Sequence, residues 1–192
     1  MKNIKISVQT ELITSNDGKN TYEVIKRLEG CEGECAFIIS LYPTRNAENI
    51  SANDSTLNHL VSHFNDLGLN ELHIINLFSK VVNGKMSVRG LEPDKENLKY
   101  IDELMADKKF QSSKFIVAWG NSFNSSSAVS KSKAQVLKLF AKHNPKGRIY
   151  QLSTVGNKLD SDNSPHPLYV GIRGNNSVWC LKEFSLNSAV KN

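Results

Sequence analysis

Apolar and polar residues alternate on both sides of a predicted turn near the N-terminus. Asn16, Asp17 and Gly18 form that turn, because these residue types favour tight reversals of the chain. The apolar positions are Ile4, Ile6, Val8, Leu12 and Ile13 before it and Tyr22, Val24 and Ile25 after it. A period of two residues is typical of a strand, so the pattern predicts an N-terminal β-hairpin within residues 1–30.

Strand and helix patterns then alternate along the chain. A short continuous apolar run, typical of a strand buried on both faces, covers residues 36–41, and further strands are predicted over 72–77, 115–119 and 149–152. Apolar residues at helical spacing occupy 57–67, 98–105 and 134–141, and a last run over 178–184 predicts an edge strand. We expect Asn53 or Asp54 to cap the first helix and Gly68 to end it.

This alternation predicts an α/β fold with three layers, in which a mostly parallel central sheet has helices on both faces. The length of 192 residues fits a single domain over 1–192, with the hairpin in 1–30 and the core in 36–172. No apolar run approaches the roughly 20 residues of a membrane span, and the first residues lack a signal-peptide core. A cytoplasmic location is therefore expected.

Polar and aromatic residues follow each predicted core strand. They form the segments YPTR at 42–45, NLF at 76–78, WGN at 119–121 and PHPLY at 165–169. Ligands of parallel sheets bind beyond the carboxyl ends of the strands. We therefore expect these four segments to meet around one cleft.

The four segments carry a resemblance to a known family. YPTRNAENISANDST at 42–56, INLF at 75–78, VAWG at 117–120 and HPLY at 166–169 resemble, in that order, the family known as domain of unknown function sixteen-forty-three. The resemblance covers residues 20 to 172 or thereabouts. It implies a role in the biology of bacteria, phages and mobile elements, but no established activity.

The same segments are also similar, in order and position, to the signature blocks of the uracil-DNA glycosylase superfamily. This resemblance implies the glycosylase fold, with Asn76 reading a base edge and His166 supporting the charge on a departing base. It also implies a base pocket, but residues 46–53 lack the aromatic residue that stacks on the base in the family, so Tyr42 or Phe78 would have to replace it. The implied pocket residues are Tyr42, Pro43, Asn76 and Phe78.

Two departures from the glycosylase pattern argue against efficient uracil excision. Tyr42 stands before Pro43 where glycosylases have the Asp that activates water. A phenol has a reference pKa of about 10 and is a poor general base at neutral pH. After His166 and Pro167 the serine and proline of the family loop are missing, which also argues against insertion of a wedge into the duplex. Asp54 is the nearest carboxylate that could act instead, although it could equally be a helix cap.

Charge permits a polyanionic partner without requiring one. The chain has 24 Lys and Arg against 19 Asp and Glu, a formal net charge of +5. The residues expected to contact DNA or a protein partner are Arg45, Lys80, Asn121, Leu168, Tyr169 and Arg173. Further basic residues expected around the cleft are Lys85, Arg89, Lys131, Lys133 and Arg148.

Other candidate residues have simpler explanations. Cys31, Cys35 and Cys180 match no common zinc spacing and are expected to be free thiols. His59 and His63 have metal-binding spacing but no third ligand, so we expect them on a solvated helix face. Three further candidates keep a structural alternative: Asn76 could satisfy backbone groups, His166 could be a surface residue and Trp119 could be core.

Two function hypotheses remain. The first is a glycosylase-like protein that has lost efficient activity and binds DNA or a small acidic protein of the DNA-mimicking glycosylase-inhibitor type. The second is an active N-glycosidase or related enzyme on a modified base, nucleoside or nucleotide, with His166 and Asp54 in catalytic roles. No Gly-rich phosphate loop, nucleophile elbow or zinc signature is present, and no cofactor or metal is expected.

Overall fold

The computed structural model describes residues 3, 5–46, 48, 54–82, 91, 94–156, 164–174 and 176–185. In these residues the strands are β1 Ser7–Thr14, β2 Thr21–Glu29, β3 Glu34–Ser40, β4 Leu69–Asn76, β5 Lys114–Val117, β6 Ile149–Thr154 and β7 Trp179–Glu183. The helices are α1 Ser55–Ser62, α2 Phe64–Leu67, α3 Lys95–Ala106, α4 Lys108–Gln111, α5 Ser127–His143 and α6 Pro167–Arg173. None of the helices in these ranges is long and apolar enough to cross a bilayer.

All seven of these strands belong to one mixed sheet, in the order β1-β2-β4-β3-β5-β6-β7. The pairs β4-β3, β3-β5 and β5-β6 are parallel. The pairs β1-β2, β2-β4 and β6-β7 are antiparallel, so the expectation of a mostly parallel sheet is wrong. The reason is that the predicted hairpin does not stand apart: β2 pairs along β4 and extends the sheet.

The sheet separates two apolar cores. Strand residues alternate between them, so that Phe37 and Ile39 of β3 belong to one core and Ala36 and Ile38 to the other. The first core is completed by residues of α3, α4 and α5, and the second by residues of α1, α2 and α6. Helices therefore cover both faces of the sheet, as the alternating pattern predicts.

The first predicted helix is divided in two. Asp54 caps α1 by accepting a hydrogen bond from the Leu57 N–H, and Gly68 ends α2 at a φ of 66°. The break falls at His63, whose ring stacks on Trp179 with 4.1 Å between ring centroids. His59 also packs near Trp179, at 6.4 Å, so the expectation that both histidines lie on a solvated face is wrong.

Two short helices are not predicted by the spacing of apolar residues in the sequence. α4 has four residues and α6 has seven, too few for an apolar period to be visible. α6 begins at Pro167, directly after the N-cap His166. Proline is favoured in the first turn of a helix, so the prolines that predict a loop here also start a helix.

Candidate functional site

One cavity of about 320 Å³ is lined by Tyr42, Asn76 and His166 together. It lies beyond the carboxyl ends of β3, β4 and β5, on the face of the sheet that α1 and α6 cover. Pro43 and Leu168 also line it. The structure thus brings together the residues at the strand ends, and we call this cavity the cleft.

The loop that follows β3 is held in place by backbone bonds. The N–H of Leu77 donates to the carbonyl of Ser40 at 3.0 Å, and the N–H of Phe78 donates to that of Leu41 at 3.1 Å. The hydroxyl of Thr21 donates to the carbonyl of Arg45 at 2.6 Å. The loop is therefore fixed to β2 and to the continuation of β4, which holds residues 40–45 in one conformation.

Ser40 and Asn76 form a polar pair at the floor of the cleft. They are partners in the parallel register of β3 and β4, so both side chains point to the same face of the sheet. Ser40 is 4% exposed and Asn76 is 3% exposed. The Ser40 hydroxyl has no hydrogen-bond partner, and the Asn76 carboxamide has none among the described residues.

A buried polar group without a partner costs about 1–3 kcal/mol. The Ser40 hydroxyl is such a group, and together with the neighbouring Asn76 carboxamide it indicates a place that a polar ligand or water completes. The Asn76 carbonyl accepts a bond from Asn97 Nδ2 at 2.8 Å, so the end of β4 is satisfied without the Asn76 side chain. Ser40 could not be recognised as a site residue from the sequence, because only its register with Asn76 distinguishes it from an ordinary strand residue.

His166 presents a neutral imidazole to the cleft. The Leu168 N–H donates to His166 Nδ1 at 3.3 Å, which leaves the proton of a neutral ring on Nε2. Burial lowers the pKa of His166, although the negative charge of Asp54 opposes this. At neutral pH Nε2 is therefore a hydrogen-bond donor without positive charge.

Trp119 and Gly120 connect the third strand end to the His166 loop. Trp119 is 3% exposed, packs edge-on against Phe184 and also lines the cleft. The N–H of Gly120 donates to the carbonyl of Ser164 at 2.9 Å. A Cβ on Gly120, which has a φ of 67°, would lie 3.1 Å from the Cβ of His166. Glycine therefore permits the close approach that positions the imidazole.

Asp54 lines the cleft as the helix cap of α1. One carboxylate oxygen accepts from the Leu57 N–H at 2.8 Å, and the other accepts from the Thr44 hydroxyl. Both oxygens already have partners, so the capping role is established by the geometry. A catalytic role for Asp54 stays a prediction.

Several predicted residues lie outside the cleft lining. Phe78 is buried in the core that α3, α4 and α5 complete and is not among the lining residues, so its stacking on a base stays a prediction. Lys80, Asn121, Tyr169 and Arg173 are exposed and do not line the cavity.

The additional basic residues lie in different parts of the molecule. Arg148 lines a second cavity of about 540 Å³ with Glu34, at the amino ends of the strands, so its expected place near the cleft is wrong. Lys131 is exposed on α5. Lys133 Nζ lies 5.4 Å from the Trp119 ring centroid, and burial lowers the pKa of Lys133 to about 8. Lys85 and Arg89 lie outside the described residues.

A second polar group lies on the opposite face of the sheet, and we call it the paired cluster. It consists of Glu23, Arg27, Glu71, His73, Tyr100 and Lys109. His73 Nδ1 donates to Glu23 at 2.6 Å, and Tyr100 donates to the other oxygen of Glu23 at 2.5 Å. One Glu71 oxygen accepts from Arg27 at 2.5 Å and from Lys109 at 2.8 Å.

Two residues of the paired cluster and the neighbouring Cys35 are spaced like the ligands of a metal ion, but the charges around them disfavour a bound cation. Ligand atoms of Cys35, Glu71 and His73 lie within 4.8 Å of one another. However, Arg27 and Lys109 already neutralise Glu71. Burial opposes protonation of His73, but hydrogen bonds to Cys35 and Glu23 raise its pKa to about 9. A protonated imidazole cannot ligate a cation, so we assign no metal site here.

Comparison with known proteins identifies a family. The family model described as "Protein of unknown function (DUF1643)" matches residues 23–168, which is more than half of the chain. No curated protein and no solved structure matches the chain.

Proposed function

We propose that this chain, which belongs to the DUF1643 family, is a uracil-DNA glycosylase-like protein that binds a nucleobase in the cleft and works chiefly by binding. The observation that carries the proposal is the buried, unpartnered Ser40 hydroxyl beside the Asn76 carboxamide in the lining of the cleft. A carboxamide offers a donor and an acceptor side by side, which matches the edge of a base. His166 Nε2 supplies a further donor from the opposite side of the cleft.

Loss of efficient hydrolysis follows from the groups at the missing acid position. Tyr42 lines the cleft where glycosylases have a carboxylate. Asp54, the carboxylate in the lining, has both oxygens engaged by the α1 N-terminus and by Thr44. Neither group is a free base for water activation. In this proposal the protein therefore keeps its ability to bind a base but has lost efficient hydrolysis.

The macromolecular partner in this proposal is DNA, or an acidic protein that imitates it. Lys80 and Arg173 are exposed cations on elements that follow the strand ends, and Tyr169 is 47% exposed on α6 beside Leu168. Cations supply contacts to phosphates, and an exposed aromatic ring supplies stacking. A DNA-mimicking inhibitor would present carboxylates to the same surface.

Fluorescence anisotropy with oligonucleotides tests the proposal. Single- and double-stranded probes carrying one deoxyuridine are compared with probes carrying thymidine, at low and at raised salt. We expect binding that weakens with salt, and a preference for one base that Asn76→Ala reduces by roughly tenfold. Asn58→Ala, which removes an exposed amide of α1 outside the cleft lining, is the control and should keep the preference.

Two results would contradict the proposal. One is the absence of binding to every probe, and to a DNA-mimicking inhibitor protein, at low salt. The other is an unchanged base preference in Asn76→Ala.

The second candidate function is an active N-glycosidase on a modified base, nucleoside or nucleotide. The neutral donor at His166, in the electrostatic field of Asp54, is the observation that favours it. Oligonucleotides carrying altered bases, treated with alkali after incubation, would show strand cleavage at abasic sites. Cleavage that is lost in His166→Asn, a variant that retains a good helix cap, would establish the enzyme.

A further inference from the structure

Arg45 lines the cleft and has an unpartnered donor. Its Nε is buried and has no hydrogen-bond partner, and no ion pair joins it to a carboxylate of the described residues. Its backbone is fixed, because its carbonyl accepts the Thr21 hydroxyl. A guanidinium held against a cavity with an open donor is suited to an anion, since two parallel N–H groups match the oxygens of a phosphate.

A second cation lies near Arg45. Lys26 of β2 is 2% exposed, and its ammonium donates to the Thr10 hydroxyl at 2.7 Å. Burial lowers the pKa of Lys26, and the charge of Arg45 lowers it further, while Asp54 opposes this. The carboxylate in the lining is Asp54, which is stabilised by the α1 N-terminus and by Thr44. The charges of Arg45 and Lys26 therefore repel each other, and a negative charge near Arg45 would relieve this repulsion.

The cleft therefore contains two kinds of unsatisfied group. Ser40 and Asn76 offer donors and acceptors for a polar ring edge, and Arg45 offers donors for an anion. All three residues line the same cavity of about 320 Å³, within the range of small-ligand pockets. A nucleotide is a ligand that carries both features, a base edge and a phosphate.

We infer that the cleft binds a nucleotide, with its phosphate on Arg45 and its base edge on Ser40 and Asn76. The inference rests on the proposed function for the base half of the ligand. The phosphate site is inferred from Arg45 and does not depend on the proposed function. The phosphate belongs either to a free mononucleotide or to the residue of a DNA strand whose base enters the cleft.

Isothermal titration with matched ligands tests the inference. Deoxyuridine and deoxyinosine are each compared with their 5′-monophosphates, for the wild-type chain and for Arg45→Met. We expect each monophosphate to bind roughly ten- to hundredfold more tightly than its nucleoside, because a charged hydrogen bond is lost without the phosphate. Arg45→Met should abolish this difference and keep the nucleoside affinity. Lys108→Met, which removes an exposed cation of α4 on the other face of the sheet, should change neither.

A single-stranded oligonucleotide with one deoxyuridine distinguishes the two sources of phosphate. If Arg45→Met weakens the oligonucleotide but the free monophosphate never exceeds its nucleoside, the phosphate belongs to a strand. The phosphate site at Arg45 is refuted if neither the oligonucleotide nor the monophosphate binds more tightly than the nucleoside. It is also refuted if their tighter binding persists in Arg45→Met. In both cases the proposed base site at Ser40 and Asn76 is unaffected. If no nucleoside, nucleotide or oligonucleotide binds, the proposed function fails as well.

Discussion

The cleft and the paired cluster contain the same kinds of buried polar side chain but differ in how these are satisfied. In the paired cluster, Glu23 accepts from both His73 and Tyr100, and Glu71 accepts from two cations. In the cleft, the buried Ser40 hydroxyl has no partner, and the Asn76 carboxamide beside it forms no hydrogen bond with the described residues. One sheet therefore carries a completed network on one face and an incomplete one on the other.

This difference suggests that the paired cluster contributes to stability and the cleft to ligand binding. A buried charge that is fully paired stabilises the fold only as part of its network, and removal of one member leaves the others unpaired. A buried group without a partner reduces stability and is tolerated where a ligand completes it. The comparison predicts that substitutions in the paired cluster change unfolding, whereas those in the cleft change ligand affinity.

The largest expected effect is that of Glu23→Ala in the paired cluster. The substitution leaves His73 Nδ1 and the Tyr100 hydroxyl without their acceptor in the protein interior, so we expect a loss of about 3–5 kcal/mol in the free energy of unfolding. Urea denaturation measures this loss. Glu11→Ala is the control, because Glu11 is an exposed partner of Arg27 and should cost less than about 1 kcal/mol. Equal losses in the two variants would remove the distinction between the regions.

A smaller effect concerns the pH dependence of the cleft. Because the folded pKa of His166 is lowered, the unfolded chain binds more protons below its ordinary pKa of about 6.5. His166 therefore makes stability fall as the pH falls below that value, by at most about 1.4 kcal/mol per pH unit. Denaturation of the wild-type chain and of His166→Asn between about pH 7 and pH 5 measures the contribution. The same pH slope in both proteins would contradict it.

The smallest effect on stability is expected at the floor of the cleft. Ser40→Ala removes an unpartnered hydroxyl, so the free energy of unfolding should stay the same or rise by up to about 1 kcal/mol. In the same variant the affinity for a nucleotide should fall. Denaturation and titration of one preparation measure both quantities. A clear loss of stability would show that the hydroxyl has a partner in the folded chain.

Most strands and helices could be predicted from local patterns. The apolar runs mark β3 to β6, and the helical spacings mark α1, α3 and α5, since each period reflects which face of an element is buried. α6 could not be predicted, because seven residues after a proline show no period. The break at His63 was also hidden, because it depends on stacking against Trp179, far away in the chain.

The candidate site could be predicted only in part. Tyr42, Asn76 and His166 follow predicted strands, and the expectation that they share a cleft rests on the rule that ligands bind beyond strand ends. Phe78 follows a strand too, yet it is buried in the same core as its neighbour Leu77, because the alternation of β4 ends at Asn76. Ser40 carries no signal of its own, because its importance comes from its neighbour on another strand.

The sequence by itself determined the order of strands and helices, the caps at Asp54 and Gly68, and the residues placed at the strand ends. These features depend on residues close together in the chain, whose periodicity and backbone preferences are local. Only the tertiary structure decided the mixed sheet, the pairing of Ser40 with Asn76 and the open donor of Arg45. The reason is that strand order and register come from packing between distant segments, and whether a polar group is satisfied depends on every element around it.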